Sequence, residues 1–111
     1  MKFCWFHLMP YTQLPEDFRE KYPSVWVDIP RGLFDPAVAN QIYNDFMDEL
    51  EFADQQGFDA ICVNEHHSNG YGLMPSPNLI ASALARRTSN SAICATITSA
   101  ANGAKVSTAL R

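Results

Sequence analysis

Basic residues are in short supply: eight Lys and Arg stand against twelve Asp and Glu, a formal net charge of -4. No positive field is available to grip a phosphate backbone, which argues against nucleic acid as a partner. Long apolar runs are missing too. None approaches the ~20 residues needed to cross a bilayer, and Met1 to Tyr11 lacks the apolar core and small-residue cleavage site of a secretory signal. Cysteine is sparse and odd in number: Cys4, Cys62 and Cys94 show no zinc-type spacing, and each falls inside an apolar run. They read as buried thiols in a reducing compartment. The expectation is a soluble, cytoplasmic protein with no membrane span. Length is limiting as well: 111 residues suit one small domain but are less than half of the roughly 250 that close a (β/α)8 barrel.

What is present is an ordinary globular composition, 47% hydrophobic and 18% charged, so a packed core is expected. Lys2 to Leu8 is aromatic and apolar, stops before Pro10, and reads as a first strand. From Pro10 to Pro36 five prolines are interleaved with Tyr11, Phe18, Tyr22, Trp26 and Phe34. That density of proline forbids a long helix, while rings of that size need something to pack against. The segment reads as a long ordered loop with one helical turn at Glu16 to Lys21. Loops of this length inside compact domains are more often functional than not.

Asp35-Pro36 is an N-cap followed by proline at the first helical position, with a start one turn later, near Asn40, as the alternative. Apolar residues at Val38, Ile42, Tyr43, Phe46, Met47, Leu50 and Ala53 then repeat at three and four, an amphipathic helix ended by Gly57. Phe58 to Val63 is an almost continuously apolar run that suits a strand covered on both faces by helices. Ser76-Pro77 repeats the cap-then-proline signal ahead of a second helix, Asn78 to Thr88. Ala92 to Thr98 alternates β-branched residues and reads as a third strand. The order is βαβαβ, and right-handed crossovers make the three strands parallel. From Ala95 the composition turns to Ala, Thr, Ser, Gly and Asn, and no stable terminal element is expected there. The chain divides into residues 1–94 and a divergent tail, 95–111.

Glu65, His66 and His67 follow the second strand, at the end where parallel α/β folds place ligands and catalysis. An imidazole exchanges protons near neutral pH, and a neighbouring carboxylate can hold its tautomer. Side chains alternate along an extended chain, so Glu65 and His67 share one side and His66 faces the other. His66 can then enter a pocket while the outer pair bond to each other or to a helix end. A second explanation is that both histidines only cap helices or satisfy backbone groups. Zinc is a third, although ligands would have to come from separate strands. His7, near the end of the first strand, would share the same edge as His66 or serve as a hydrogen-bonded core residue. The aromatic loop would lie over that edge as a wall or lid. Gly70 and Gly72 lack dinucleotide spacing and read as turn residues.

Gly57-Phe58-Asp59, a strand ending Asn64-Glu65-His66-His67, then Tyr71-Gly72-Leu73 and Pro75-Ser76-Pro77-Asn78 before an Ala/Leu helix, resembles the N-terminal part of the bacterial-luciferase-like flavin-dependent monooxygenases. The opening Met1-Lys2-Phe3 and the strand ending His7-Leu8-Met9-Pro10 fit the same pattern, and the likeness covers residues 1 to about 94. It implies a (β/α)8 barrel, of which this chain would be an incomplete N-terminal βαβαβ portion, truncated or altered in frame. It also implies reduced FMN at the carboxyl ends of the strands, reaction with dioxygen, oxygenation of a small organic substrate such as an aldehyde, and a separate flavin reductase. A dimer is a further expectation. His66 would be the acid/base group beside the flavin, Glu65 and His67 its supports, and His7 a second cofactor-side residue; no metal is implied. The alternative from another class is a non-catalytic α/β fragment that binds a partner through unpaired strand edges.

Overall fold

The computed structural model describes residues 1–27, 29–98 and 105–110. Four strands form one sheet in the order β1-β2-β3-β4: β1 Cys4–His7, β2 Ala60–Asn64, β3 Ala92–Thr98 and β4 Lys105–Leu110. The first three are parallel, with Phe6, Cys62 and Cys94 side by side in register. Two helices, α2 Pro36–Gln55 and α3 Pro77–Arg87, make the crossovers, and a single turn, α1 Phe18–Lys21, lies within the long loop. This is a βαβαβ unit of a TIM-barrel-like fold. Among the described residues, no helix is long and apolar enough to cross a membrane.

Helix α2 starts where its local chemistry dictates. Asp35 Oδ1 accepts from the backbone N–H groups of Ala37 at 2.8 Å and Val38 at 3.3 Å, with proline at the first position. Such a cap contributes about 1 kcal/mol. Gly57, at φ 83°, closes the far end in the left-handed region that favours glycine. Helix α3 begins differently: Pro77 stands at its first turn, but the Ser76 side chain makes no capping bond.

Parity along the strands decides which face is packed. Ile61, Val63, Ile93 and Ala95 point to the helices and are buried with Leu50, Ala81 and Leu84 in one cluster. The opposite parity carries Cys4, Phe6, Cys62 and Cys94, and among the described residues no helix packs on that face. Two expectations are corrected here. The apolar run of β2 is packed by helices on one face only, because a barrel-type sheet turns its other face to a lumen. The thiols are not buried: Cys4 is exposed, and Cys62 and Cys94 are half-buried. Partial burial, with the Cys94 and Cys4 thiols beside it, still pushes the Cys62 thiol up to about 12.

A third correction concerns the tail. The sequence reading left no element there, yet Lys105–Leu110 pairs antiparallel with β3, Cys94 opposite Ala109 and Thr98 opposite Lys105. Pairing with β3 satisfies backbone groups along an edge that would otherwise be open. The stretch 99–104 and residue 111, the rest of the tail assignment apart from 95–98, lie outside the described residues.

The amino ends of the strands are held by carboxylates. Asp54, buried at the end of α2, accepts from the backbone N–H groups of Ser91 at 2.6 Å, Asn90 at 2.9 Å and Ser89 at 3.2 Å. Burial alone would push its carboxyl up, but these backbone donors outweigh it and hold the group below its ordinary value. Asp59 accepts from Lys2 and from the backbone of Phe3, and the Lys2 bond, then the Phe3 bond, hold its carboxyl down.

Candidate functional site

Beyond the carboxyl ends of β1 and β2, the long loop and the β2–α3 connection border a partly open cavity of about 570 Å³. Its walls are mostly apolar: Leu14, Ile29, Leu33 and Phe34 from the loop, Leu73 and Pro75 from the connection, with the rings of Tyr11 and Tyr43. Arg31 is the one cationic side chain among its described lining residues. Burial pushes the Tyr43 phenol up, so it stays neutral. The loop is fastened rather than loose. Gly70 N–H donates to Val25 C=O at 2.9 Å, and Gly70 C=O accepts from Tyr11 N–H at 3.0 Å. Met9, at φ 50°, turns the chain after β1, and its carbonyl accepts from Leu73 N–H at 2.8 Å. The aromatic segment is thus a wall of the cavity over the strand ends, as its position in the sequence predicts.

His66 is the histidine on that wall. Its backbone N–H donates to Met74 C=O at 2.9 Å, and the Asn64 side-chain amide donates to Nε2 at 2.9 Å. Trp26 and Tyr71 stack on each other at 4.0 Å, and each meets the imidazole edge-on at 5.2 Å. Gly72 backs the ring so closely that an added Cβ would lie 2.5 Å from Cδ2. Burial, and secondarily the neighbouring charge of His67, hold the imidazole below its ordinary value of 6.5.

Glu65 and His67 lie on the other side, as parity requires, and bond to each other, Nε2 to Oε1 at 2.6 Å. His67 is exposed, whereas Glu65 is mostly covered and its Oε2 has no partner among the described residues. Their bond stiffens the chain that carries His66. His7 points to the helix-packed face instead. Met9 N–H donates to its Nδ1 at 2.9 Å, so the proton sits on Nε2, which donates to Glu49 at 3.0 Å. The ring lies 4.5 Å from Phe46 and is 8% exposed. Both of its nitrogens are occupied within the protein, and it is not on the cavity wall. The structure therefore brings Glu65, His66 and His67 together as a unit and holds His7 apart from it. Among the described residues, no group of three or more His, Cys, Asp or Glu is placed to hold a metal ion.

Asn64, Trp26, Arg31 and Gly72 complete the surroundings of His66 and its cavity; sequence reasoning placed Trp26 only within the loop expected as a wall or lid and gave the other three no individual role there. For Asn64 a signal existed: it has the same strand parity as His66, two residues away. Gly72 read only as a turn residue, and Trp26 meets His66 across forty positions with no local pattern to betray it.

The sequence matches the model of the luciferase-like monooxygenase family over residues 28–107. That span takes in α2, β2, the Glu65-His66-His67 segment, α3 and β3, runs beyond residue 94, and leaves β1 with His7 outside. No curated protein and no solved structure matches the chain.

Proposed function

The chain belongs to the luciferase-like monooxygenase family, and on that footing we propose that it forms the His66 side of a centre where reduced FMN and a small organic substrate meet dioxygen. One observation carries the reading: a half-buried imidazole stands on the wall of a largely apolar cavity beyond the carboxyl ends of parallel strands. Barrel enzymes place their chemistry at that end.

The residues present fit the cofactor. The 570 Å³ of space falls within the roughly 300–1,000 Å³ common for cofactor and ligand sites. Tyr11, Phe34 and Leu73 offer apolar surface to a flat ring system, and Arg31 offers a cation to an anionic tail. When bound, reduced flavin supplies the electrons with which dioxygen is divided between product and water. The protein's part is to hold flavin and substrate together, keep water out, and provide a hydrogen bond or proton from His66. Glu65 and His67 brace the segment from behind. His7, with both ring nitrogens bonded within the protein, stands apart from this centre. The reading includes a separate flavin reductase, a dimeric assembly, and a cytoplasmic setting in which the three thiols remain free.

Anaerobic titration with photoreduced FMN, read by the fluorescence of Trp5 and Trp26 together, tests it. Saturable quenching is expected, weakened about tenfold or more in His66→Phe, a loss of about 1.4 kcal/mol in binding. Absence of saturation at micromolar protein, with a folded circular-dichroism spectrum, would favour a second reading. That reading is a non-catalytic module that pairs through the β1 edge, and the exposure of Phe3 and Phe6 speaks for it.

A further inference from the structure

We propose that Asn64 is the positioning residue of this site: its amide fixes His66 in the tautomer protonated at Nδ1, so that the ring serves as a hydrogen-bond donor and not as a base. The inference deepens the functional reading above and depends on it for the identity of the acceptor.

The geometry leads there in three steps. An amide nitrogen carries hydrogens and offers no acceptor lone pair, so the ring atom 2.9 Å from Asn64 Nδ2 must accept. That atom is Nε2, and in a neutral imidazole the proton then resides on Nδ1. Second, the ring is not free to turn over. Gly72 closes off the Cδ2 edge, and the Trp26 and Tyr71 rings stand against it. Third, Asn64 is held in place by its backbone: it is 8% exposed and ends β2 in register with Thr96, and its Oδ1, buried without a partner among the described residues, leaves the bond to Nε2 as the contact that orients the amide. Nδ1–H is the one polar ring atom without a partner among the described residues.

A chemical consequence follows. To act as a base, His66 would have to take a proton at Nε2, which means surrendering the bond to Asn64. To donate, it need surrender nothing. The ring is thus organised to stabilise an oxygen atom that gains negative charge in the cavity. His7 provides the internal contrast, because its proton sits on Nε2.

The test is the two-bond proton–nitrogen correlation spectrum of the full chain, labelled with nitrogen-15, at neutral pH without flavin. His66 is assigned by its disappearance in His66→Phe. The expected spectrum shows His66 protonated at Nδ1 and bare at Nε2, with the reverse pattern for His7. In Asn64→Leu the His66 proton should move to Nε2. Finding His66 protonated at Nε2 in the unaltered chain, with the amide turned so that its oxygen accepts, overturns the proposal. An unchanged tautomer in a folded Asn64→Leu variant does the same. If that variant does not fold, the spectrum of the unaltered chain alone decides. The flavin titration is independent: its failure alongside the expected spectrum would remove the functional reading and leave the role of Asn64 in setting the tautomer intact.

Discussion

His7 and His66 lie near the carboxyl ends of neighbouring strands and carry the same ring, but their surroundings divide them. On the helix side, His7 has both nitrogens occupied, by Met9 and Glu49, and rests against Phe46. On the lumen side, His66 has one nitrogen held by Asn64 and one without a protein partner among the described residues, in a cavity wall. Residue type and strand position alone do not separate them. Strand parity does, because it decides whether a side chain meets packed helices or open space. A histidine that uses both nitrogens internally holds the fold; one that keeps a nitrogen back is available to a ligand.

The sharpest way to break the contrast is Gly72→Ala. A methyl 2.5 Å from Cδ2 would displace the His66 ring, and a shift of that kind can cost about 100-fold in turnover. The flavin-dependent oxygenation proposed above should fall by about that factor, and stability should drop by about 1–3 kcal/mol because the methyl also crowds His66 Cβ at 3.0 Å; unchanged turnover would mean that ring placement is unimportant. His7→Phe should give the opposite outcome. It removes two hydrogen bonds and leaves the buried Met9 N–H without its acceptor, a loss of about 2 kcal/mol in urea unfolding. Reduced-flavin affinity should stay within about threefold. His66→Phe should separate from it in binding: flavin affinity is lost, while stability falls by about 1–2 kcal/mol because the buried Asn64 amide is left without its acceptor. If both substitutions affect stability and binding alike, the division between the two histidines does not hold.

The smallest effect expected is in pH dependence. His66 has a folded-state value below its unfolded 6.5, so the unfolded chain binds more protons just below that pH. Stability should therefore fall as pH drops from about 6.5 toward the lowered value, then level off. His66→Phe should remove that step in urea titrations at successive pH values. Asp54 is also depressed: its contribution is present above the unfolded carboxylate range and is lost as pH falls through the folded value, so the steeper acid decline should survive in the variant.

The parts of this architecture that rest on neighbouring residues could be read from the sequence. Asp35-Pro36, the three-and-four spacing of α2 and Gly57 each act within a few positions, and the structure follows them. Parity likewise anticipated that Glu65 would meet His67 while His66 turned away. What escaped was non-local. Ser76 carries the same signal as Asp35, but its backbone, at φ -138° and ψ 77°, accompanies no capping bond. The cysteines looked buried because apolar runs do not reveal which face of a sheet is covered. The strand formed by Lys105–Leu110 depends on an edge supplied by β3. Trp26 reaches His66 only after the long loop has folded back across the strand ends.

One peptide unit has an influence out of proportion to its size. Gly70 is bonded on one side to Tyr11 and on the other to Val25, so it acts as the keystone of the arch above His66. The chamber beneath stands partly open to solvent, so the girth of an acceptable guest follows from the side chains around its mouth, a dimension that substitution could widen without disturbing the histidine below.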